Sequence, residues 1–271
     1  ISSQCSHKQI LRRRMTPKIS IITIAYNSER TIEQTIKSVI SQSYPHKEYI
    51  IVDGLSTDNT LNIVNSYAHN IDCIISERDN GISNAFNKGI SKATGDLIVL
   101  INSDDELLPE ALQLVADTWD GKSDIWSGDY IAWNEKTKKS FTIKPSLYFP
   151  NPPYLRRAVH QGRFITKKLY NRIGLYDEDI RYPMDLEFLM RAYHNGATFQ
   201  YIPKSVAMFR LGGATNMSIF KKKHDYTFMV RKHGGTWLQA YTFYCFLVIT
   251  QTLKHLTNLF STDLIRNLRY R

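Results

Sequence analysis

Disulfide and zinc scaffolds are both excluded by what this 271-residue chain lacks. Its 3 cysteines, Cys5, Cys73 and Cys245, lie far apart, and no Cys/His pair has the spacing of a zinc site. Cys73 falls in a predicted strand as a small buried hydrophobe, and a reduced, cytosolic setting is expected. A membrane-crossing helix is missing as well. Residues 237–253 carry no charge, but Gln239, Thr242, Thr250, Gln251 and Thr252 interrupt a run already shorter than a span requires. Residues 1–14 hold Lys8, Arg12, Arg13 and Arg14, no acid, and none of the apolar core of a secretory signal. They read as a disordered leader before Met15-Thr16-Pro17-Lys18 and are left out of the fold. No internal repeat is visible.

What is present is a globular composition with a strong charge bias. At 42% hydrophobic residues the chain can bury one large core, or a core with an appended subdomain. Aromatics at 12% suit a surface that handles sugars, bases or a membrane interface, and a net charge of +10 points to an anionic partner. Charge alone does not choose among nucleic acid, a nucleotide-linked substrate and anionic lipid.

Strand-like and helix-like segments alternate from residue 18 to about 117. Strands are predicted at 19–24, 49–52, 71–75 and 97–101, with helices at 31–40, from Asp58 as cap over Leu61, Ile63 and Val64, and at 82–93. This alternation predicts an α/β chain with a doubly wound, mostly parallel sheet. After residue 120 two antiparallel strands, 125–133 and 139–143, flank the turn Asn134-Glu135-Lys136-Thr137. Pro145, Pro150, Pro152 and Pro153 then mark a loop-rich crossing. A helix follows at 185–194, and Gly212-Gly213 reads as a mobile loop.

The fourth strand ends in Asn102-Ser103-Asp104-Asp105. Ligands of open α/β sheets bind outside the carboxyl ends of such strands. Two adjacent acids there repel each other unless neutralised, and a hard divalent ion that bridges carboxylate and phosphate oxygens does this. The structural alternative is that both acids cap a helix beginning near Pro109. A nucleotidyltransferase would need a glycine-rich, basic loop after the first strand, where this chain has Ala25-Tyr26-Asn27-Ser28-Glu29. A nucleic-acid binder would interleave basic residues with aromatics on one element. Here they cluster at the termini, so no nucleic-acid partner is expected.

Five segments stand at the carboxyl edge of this predicted sheet: 23–29, 52–60, Glu77-Arg78-Asp79-Asn80-Gly81-Ile82, Ala85-Phe86-Asn87-Lys88-Gly89, and Asp104-Asp105. In order and spacing they resemble the nucleotide-sugar domain of inverting family-2 glycosyltransferases of the GT-A fold, over residues 18–215. The resemblance implies a Rossmann-like sheet with a smaller antiparallel acceptor-side sheet and C-terminal helices. The expected divisions of the chain are a donor half at 15–117, an acceptor and catalytic half at 118–235, and, beyond the reach of the resemblance, a helical, membrane-associating segment at 236–271.

By that resemblance Ala25, Tyr26, Glu29 and Asp53 form a uridine pocket, with Asn80, Asn87, Lys88 and Arg210 also on the donor side. Arg78 is a further phosphate candidate. Asp105 coordinates Mn²⁺ or Mg²⁺, and Asp104 contacts the ribose or the ion. Asn102 stands where many members carry a first acid, so a single-carboxylate metal site is expected. Asp185 is the expected general base and Glu187 the reserve, while His160 and Gln161 face the acceptor. From the residues alone, Asp53 and Asp58 can equally be turn and helix caps, Lys88 and Arg78 surface cations, and His160 a core histidine.

The implied function is metal-dependent, inverting transfer from a UDP-sugar to a glycan or lipid-linked acceptor in bacterial surface polysaccharide synthesis. The implied place is the inner face of the cytoplasmic membrane, with an anionic membrane surface as a further partner. A catalytically inactive GT-A-like binding protein and a nucleotidyltransferase are the alternatives. The uncharged 237–253 run fits either a helix packed on the catalytic domain or one lying in the membrane interface, with Arg266, Arg269 and Arg271 toward headgroups.

Overall fold

Four strands, β1 (Ile19–Ala25), β2 (Lys47–Asp53), β3 (Cys73–Ser76) and β4 (Leu97–Asn102), run parallel in the order β3-β2-β1-β4 in the computed structural model, which describes residues 16–135, 137–153, 158–211 and 219–260. β1 is buried along nearly its whole length, as expected of a central strand covered on both faces. Its register sets Ala25 beside Asp53 and Ile24 beside Asn102, while Asp53 pairs with Ser76. Three predicted site segments therefore end on one edge.

Side chains alternate along these strands and feed two cores. Ile19, Ile21, Tyr49, Ile51, Leu97 and Val99 pack under α1 (Ile32–Ile40), α2 (Thr60–Ser66) and α4 (Ala111–Asp117). Ile22, Ile50, Val52, Ile98 and Leu100 face α3 (Ile82–Lys92) and the later helices. In α3, Gly89 lies flat on the sheet, where a side chain would meet Ile22 and Val52. The doubly wound reading holds.

The remaining strands are β5 (Glu106–Leu107), β6 (Ile125–Asn134), β7 (Lys139–Ile143), β8 (Arg163–Thr166) and β9 (Phe199–Leu211). β8 runs antiparallel between β4 and β6, and β6 carries the expected hairpin partner β7. The smaller sheet is not detached and not purely antiparallel. β6 and β9 pair in parallel along ten residues of β6, with register shifts around Asp129, and so belong to both parts. Gly128 sits at that irregularity because a Cβ there would come within 2.6 Å of Val206.

Helices α5 (Lys167–Ile173), α6 (Met184–His194), α7 (Lys223–Lys232) and α8 (Trp237–Phe260) complete the chain. α8 buries Ala240, Phe243 and Tyr244, with the Tyr226 ring of α7 edge-on to Phe243 at 6.0 Å. No described helix is long and apolar enough to cross a membrane. Cys73 is only half-buried, on the edge strand β3, which corrects its reading as a core residue. The leader at 1–14, the loop Gly212-Gly213-Ala214-Thr215, and Arg266, Arg269 and Arg271 lie outside the described residues.

Candidate active site

The loops after β1 and β2 are laced together. The Gly54 amide donates to the Ala25 carbonyl at 2.9 Å, the Asn27 amide to Ser56 Oγ at 2.9 Å, and the Ser28 amide to Thr60 Oγ1 at 2.7 Å. Glu29 and the start of α2 cap each other: the Glu29 amide donates to Asp58 at 3.1 Å, and the Asn59 amide to Glu29 at 3.0 Å. Glu29 is thus engaged at a helix N-terminus, where a carboxylate is favoured. Asp58 also takes the Thr60 amide, so capping is what it does.

Asp53 is fully buried and accepts from the Ser56 amide at 3.2 Å and from Ser76 Oγ at 2.8 Å. It anchors this turn. Beside it Tyr26 leaves 61% of its surface exposed, and Gly54 is confined between Asp79 and the Tyr26 ring. Leu55 adopts φ 60° with 51% of its surface exposed, a left-handed backbone that a branched apolar residue rarely takes. Sequence reading did not single it out.

Asn87 and Lys88 both have partners within the protein. Asn87 exchanges hydrogen bonds with the Tyr176 backbone at 2.9 and 3.0 Å and donates to Glu178 at 2.8 Å. Lys88 donates to the Arg78 carbonyl at 2.6 Å and pairs with Glu77 at 3.0 Å. Asn80 is exposed, its amide bonded to Asn84 at the start of α3.

The acids after β4 do not cap α4, whose N-cap is Glu110. Asp105 is completely buried. Gln161 donates to its Oδ2 at 2.7 Å, Asn102 to the same oxygen at 3.1 Å, and the Arg210 amide to Oδ1 at 3.0 Å. Its backbone carbonyl is held by Thr35 of α1 at 2.7 Å. Burial, then the neighbouring charge of Asp104, push its carboxyl up to about 7. Asp104 is half-buried and also raised by burial.

Asp185 opens α6 and faces the same place. Its Oδ2 accepts from the His160 amide at 3.2 Å and lies 3.1 Å from His160 Nδ1. Burial alone would lower the His160 pKa, but Asp185, and further off Asp105 and Asp104, raise it overall, which favours the imidazolium. Asp185 Oδ1 and His160 Nε2 are buried and find no hydrogen-bond partner among the described residues.

His160 and Gln161 thus belong to one tight turn that touches both acids. The Arg163 amide closes it on the His160 carbonyl at 3.0 Å, with Gly162 at φ 73° and its carbonyl on the Gly128 amide at 2.8 Å. That backbone requires glycine. The buried Arg163 guanidinium anchors the turn, donating to Val159 O at 2.9 Å, Ser127 Oγ at 2.8 Å and Ser146 O at 2.9 Å. Only the His-Gln-Gly string before a strand hinted at it.

Two further acid-site candidates are placed otherwise. Glu187 points to the opposite side of α6, fully buried between Arg191 at 3.0 Å, His233 at 3.3 Å and Lys232 at 3.6 Å. Burial opposes its charge, but His233, Arg191 and Lys232 prevail and hold its carboxyl at about 2. The structure therefore does not bring the reserve base to Asp105. The Arg210 guanidinium is spread over Asp104 O at 3.2 Å, Gln34 at 2.7 Å and Glu106 at 3.6 Å, so only its amide serves Asp105.

Among the described residues no three His, Cys, Asp or Glu side chains converge as a ready-made metal cage. Asp104 and Asp105 nevertheless suit a hard divalent ion that takes few protein ligands and leaves its other positions to phosphate and water. Burial raises both carboxyls, and at Asp105 the charge of Asp104 adds to it.

Known proteins share this architecture. The sequence profile described as glycosyl transferase family 2 matches residues 20–178, more than half of the chain. A Mycobacterium bovis protein named PGL/p-HBAD biosynthesis glycosyltransferase is 29% identical over 216 residues, covering 76% of this chain and 82% of its own. The putative glycosyltransferase EpsH of Bacillus subtilis is 26% identical, covering 77% and 65%. Among solved structures, S. aureus TarS 1-349 in complex with UDP-GlcNAc superposes with TM-score 0.63 at 21% identity; the match covers 78% of this chain and 65% of that one. The mannosyltransferase PcManGT of Pyrobaculum calidifontis, with GDP-Man and Mn²⁺, gives 0.61 at 17% identity, covering 80% and 64%.

Proposed function

Because the chain belongs to glycosyl transferase family 2, we propose that it transfers a sugar, with inversion, from a UDP-sugar to a glycan or lipid-linked acceptor. The observation that carries this reading is the pair of acids joined by one turn: Asp105 from the end of β4, and Asp185 from the start of α6. Inversion needs a leaving group stabilised on one side of the anomeric carbon and a proton acceptor on the other. Two carboxylates from different elements, held apart by His160 and Gln161, meet that need.

In this mechanism Asp185 accepts the proton of the acceptor hydroxyl as the new C–O bond forms and the bond to the diphosphate breaks. His160, bound to Asp185 through Nδ1 and the amide, keeps the carboxylate oriented. Asp105 and Asp104 would hold Mn²⁺ or Mg²⁺, which when bound supplies Lewis-acid stabilisation of the departing diphosphate. The exposed Tyr26 ring and the buried Asp53 offer a stacking face and an acceptor for the pyrimidine N3–H. Solved structures of the same fold hold UDP-GlcNAc and GDP-Man, so the base itself is the open specificity. The setting we infer is bacterial surface polysaccharide synthesis at the cytoplasmic face of the membrane.

A panel of UDP- and GDP-sugars, assayed for donor hydrolysis with and without Mn²⁺, tests the reading. Hydrolysis of a UDP-sugar that requires the ion and disappears in Asp105→Ala is the expected result. Metal-dependent binding without turnover, on donor alone or with any glycan acceptor, would instead mark an inactive binding protein. Failure to bind any nucleotide would overturn the proposal.

A further inference from the structure

Helix α8 has two apolar faces, and the described residues cover only one. Ala240, Phe243 and Tyr244 turn inward. Leu238, Tyr241, Cys245 and Ile249, spaced so as to share a side of the helix, turn outward, with Leu238 74% and Ile249 57% exposed. Trp237 is exposed beside them. A surface helix of a soluble protein carries charge on such a face, yet residues 237–253 contain none.

The charges that are present rim this stripe. Lys223 Nζ lies 5.3 Å from the centre of the Tyr241 ring, and Arg231 Cζ 5.0 Å from that of Trp237. Lys222 stands beside Lys223, over the Tyr182 ring at 5.2 Å. Beyond the helix the sequence continues with Arg266, Arg269 and Arg271 against the single acid Asp263. A second copy of the chain would bring these cations against their like. Anionic headgroups complement them, while the acyl boundary beneath accepts Leu, Ile and Trp side chains.

We propose that α8 is an interfacial helix that docks the protein on an anionic lipid surface, with Leu238, Tyr241, Cys245 and Ile249 facing the bilayer and the Lys222–Lys223 and Arg231 side chains on its phosphates. The proposal stands on the helix alone and is independent of the donor chemistry.

Co-sedimentation of the full chain with phosphatidylcholine vesicles, with and without phosphatidylglycerol, tests it. Binding is expected only with phosphatidylglycerol and is expected to weaken as salt screens the charges. The double variant Leu238→Glu/Ile249→Glu, altered only on the exposed face, is expected to keep its melting temperature and lose binding by about tenfold or more. A full chain that ignores anionic vesicles at low salt overturns the proposal, as does a double variant that binds like the parent. Sedimentation velocity adds a third route: a dimer dissolved by the same double variant would assign the face to a second copy and overturn the lipid assignment.

Discussion

The carboxyl edge of the sheet and the α6–α7 interface each bury an acid completely, and they treat it in opposite ways. Glu187, at the α6–α7 interface, sits among Arg191, Lys232 and His233, and its carboxyl is held at about 2 although burial works against its charge. Asp105, at the sheet edge, has amide donors from Gln161, Asn102 and the Arg210 backbone but, among the described residues, no ion pair, and burial with Asp104 beside it lifts it to about 7. One region has closed its electrostatics. The other holds a buried acid beside a second one, as the proposed metal site would require.

The comparison is broken most severely at Asp185. It lies two residues before Glu187 on the same helix yet faces His160, with Oδ1 buried and unpartnered among the described residues. Asp185→Asn preserves the shape and the contact to the His160 amide while removing the ability to take a proton. The turnover number is expected to fall by ~10²–10⁴ with donor affinity retained. Steady-state kinetics with a separate UDP titration measures both. An unchanged turnover number would remove Asp185 from the chemistry.

Glu187→Gln probes the closed region and is expected to act on stability, with the turnover of the folded enzyme changed only a few-fold. A native pKa of about 2 against an ordinary 4.5 means that the ionised form stabilises the fold above about pH 4.5. That stabilisation is lost as pH falls from 4.5 toward 2. At neutral pH the variant is expected to be less stable by about 3 kcal/mol, since Arg191 and Lys232 lose their buried counter-charge. Denaturant titrations should then show parent and variant converging toward pH 2 to 3. A constant gap across that range would mean that packing, not charge, sets the effect.

Much of this contrast was legible in the sequence, in proportion to how local its causes are. The apolar runs of β1, β2 and β4, ending on Ala25, Asp53 and Asn102, announce a buried parallel sheet because each strand carries its own signature. Asp185 at the start of a helix is likewise a local pattern. That Glu187 points away from Asp185 follows from their two-residue spacing on a helix, but what holds it does not, because Lys232 and His233 arrive more than forty residues later. The joining of the two sheets through Gly128 and Gly162 depends on a close approach between strands and has no one-segment signal. Asn87 and Lys88 sit in a motif segment, yet the loop at Tyr176–Glu178 and the Arg78 carbonyl claim their polar atoms. Motif position names a neighbourhood, and tertiary partners decide which side chains within it stay free.

The smallest expected effect sharpens the open side of the comparison. Gln161 is buried and gives the Asp105 carboxylate its shortest hydrogen bond, 2.7 Å. If it positions the metal-binding carboxylate, Gln161→Leu leaves Asp105 with two donors in a dry site and makes its ionised form harder to hold. The apparent affinity for Mn²⁺ is then expected to fall about tenfold, the lower end of what loss of a partner behind a metal ligand costs, while saturating Mn²⁺ restores turnover. A UDP-dependent thermal shift titrated with Mn²⁺ reads this directly. The competing role, contact with the acceptor, predicts the reverse: an altered acceptor KM at every Mn²⁺ concentration and an unmoved Mn²⁺ titration. Because His160 and Gln161 are adjacent on one turn, with His160 on Asp185 and Gln161 on Asp105, the outcome also decides whether that turn spaces the two acids or merely lines the acceptor cleft.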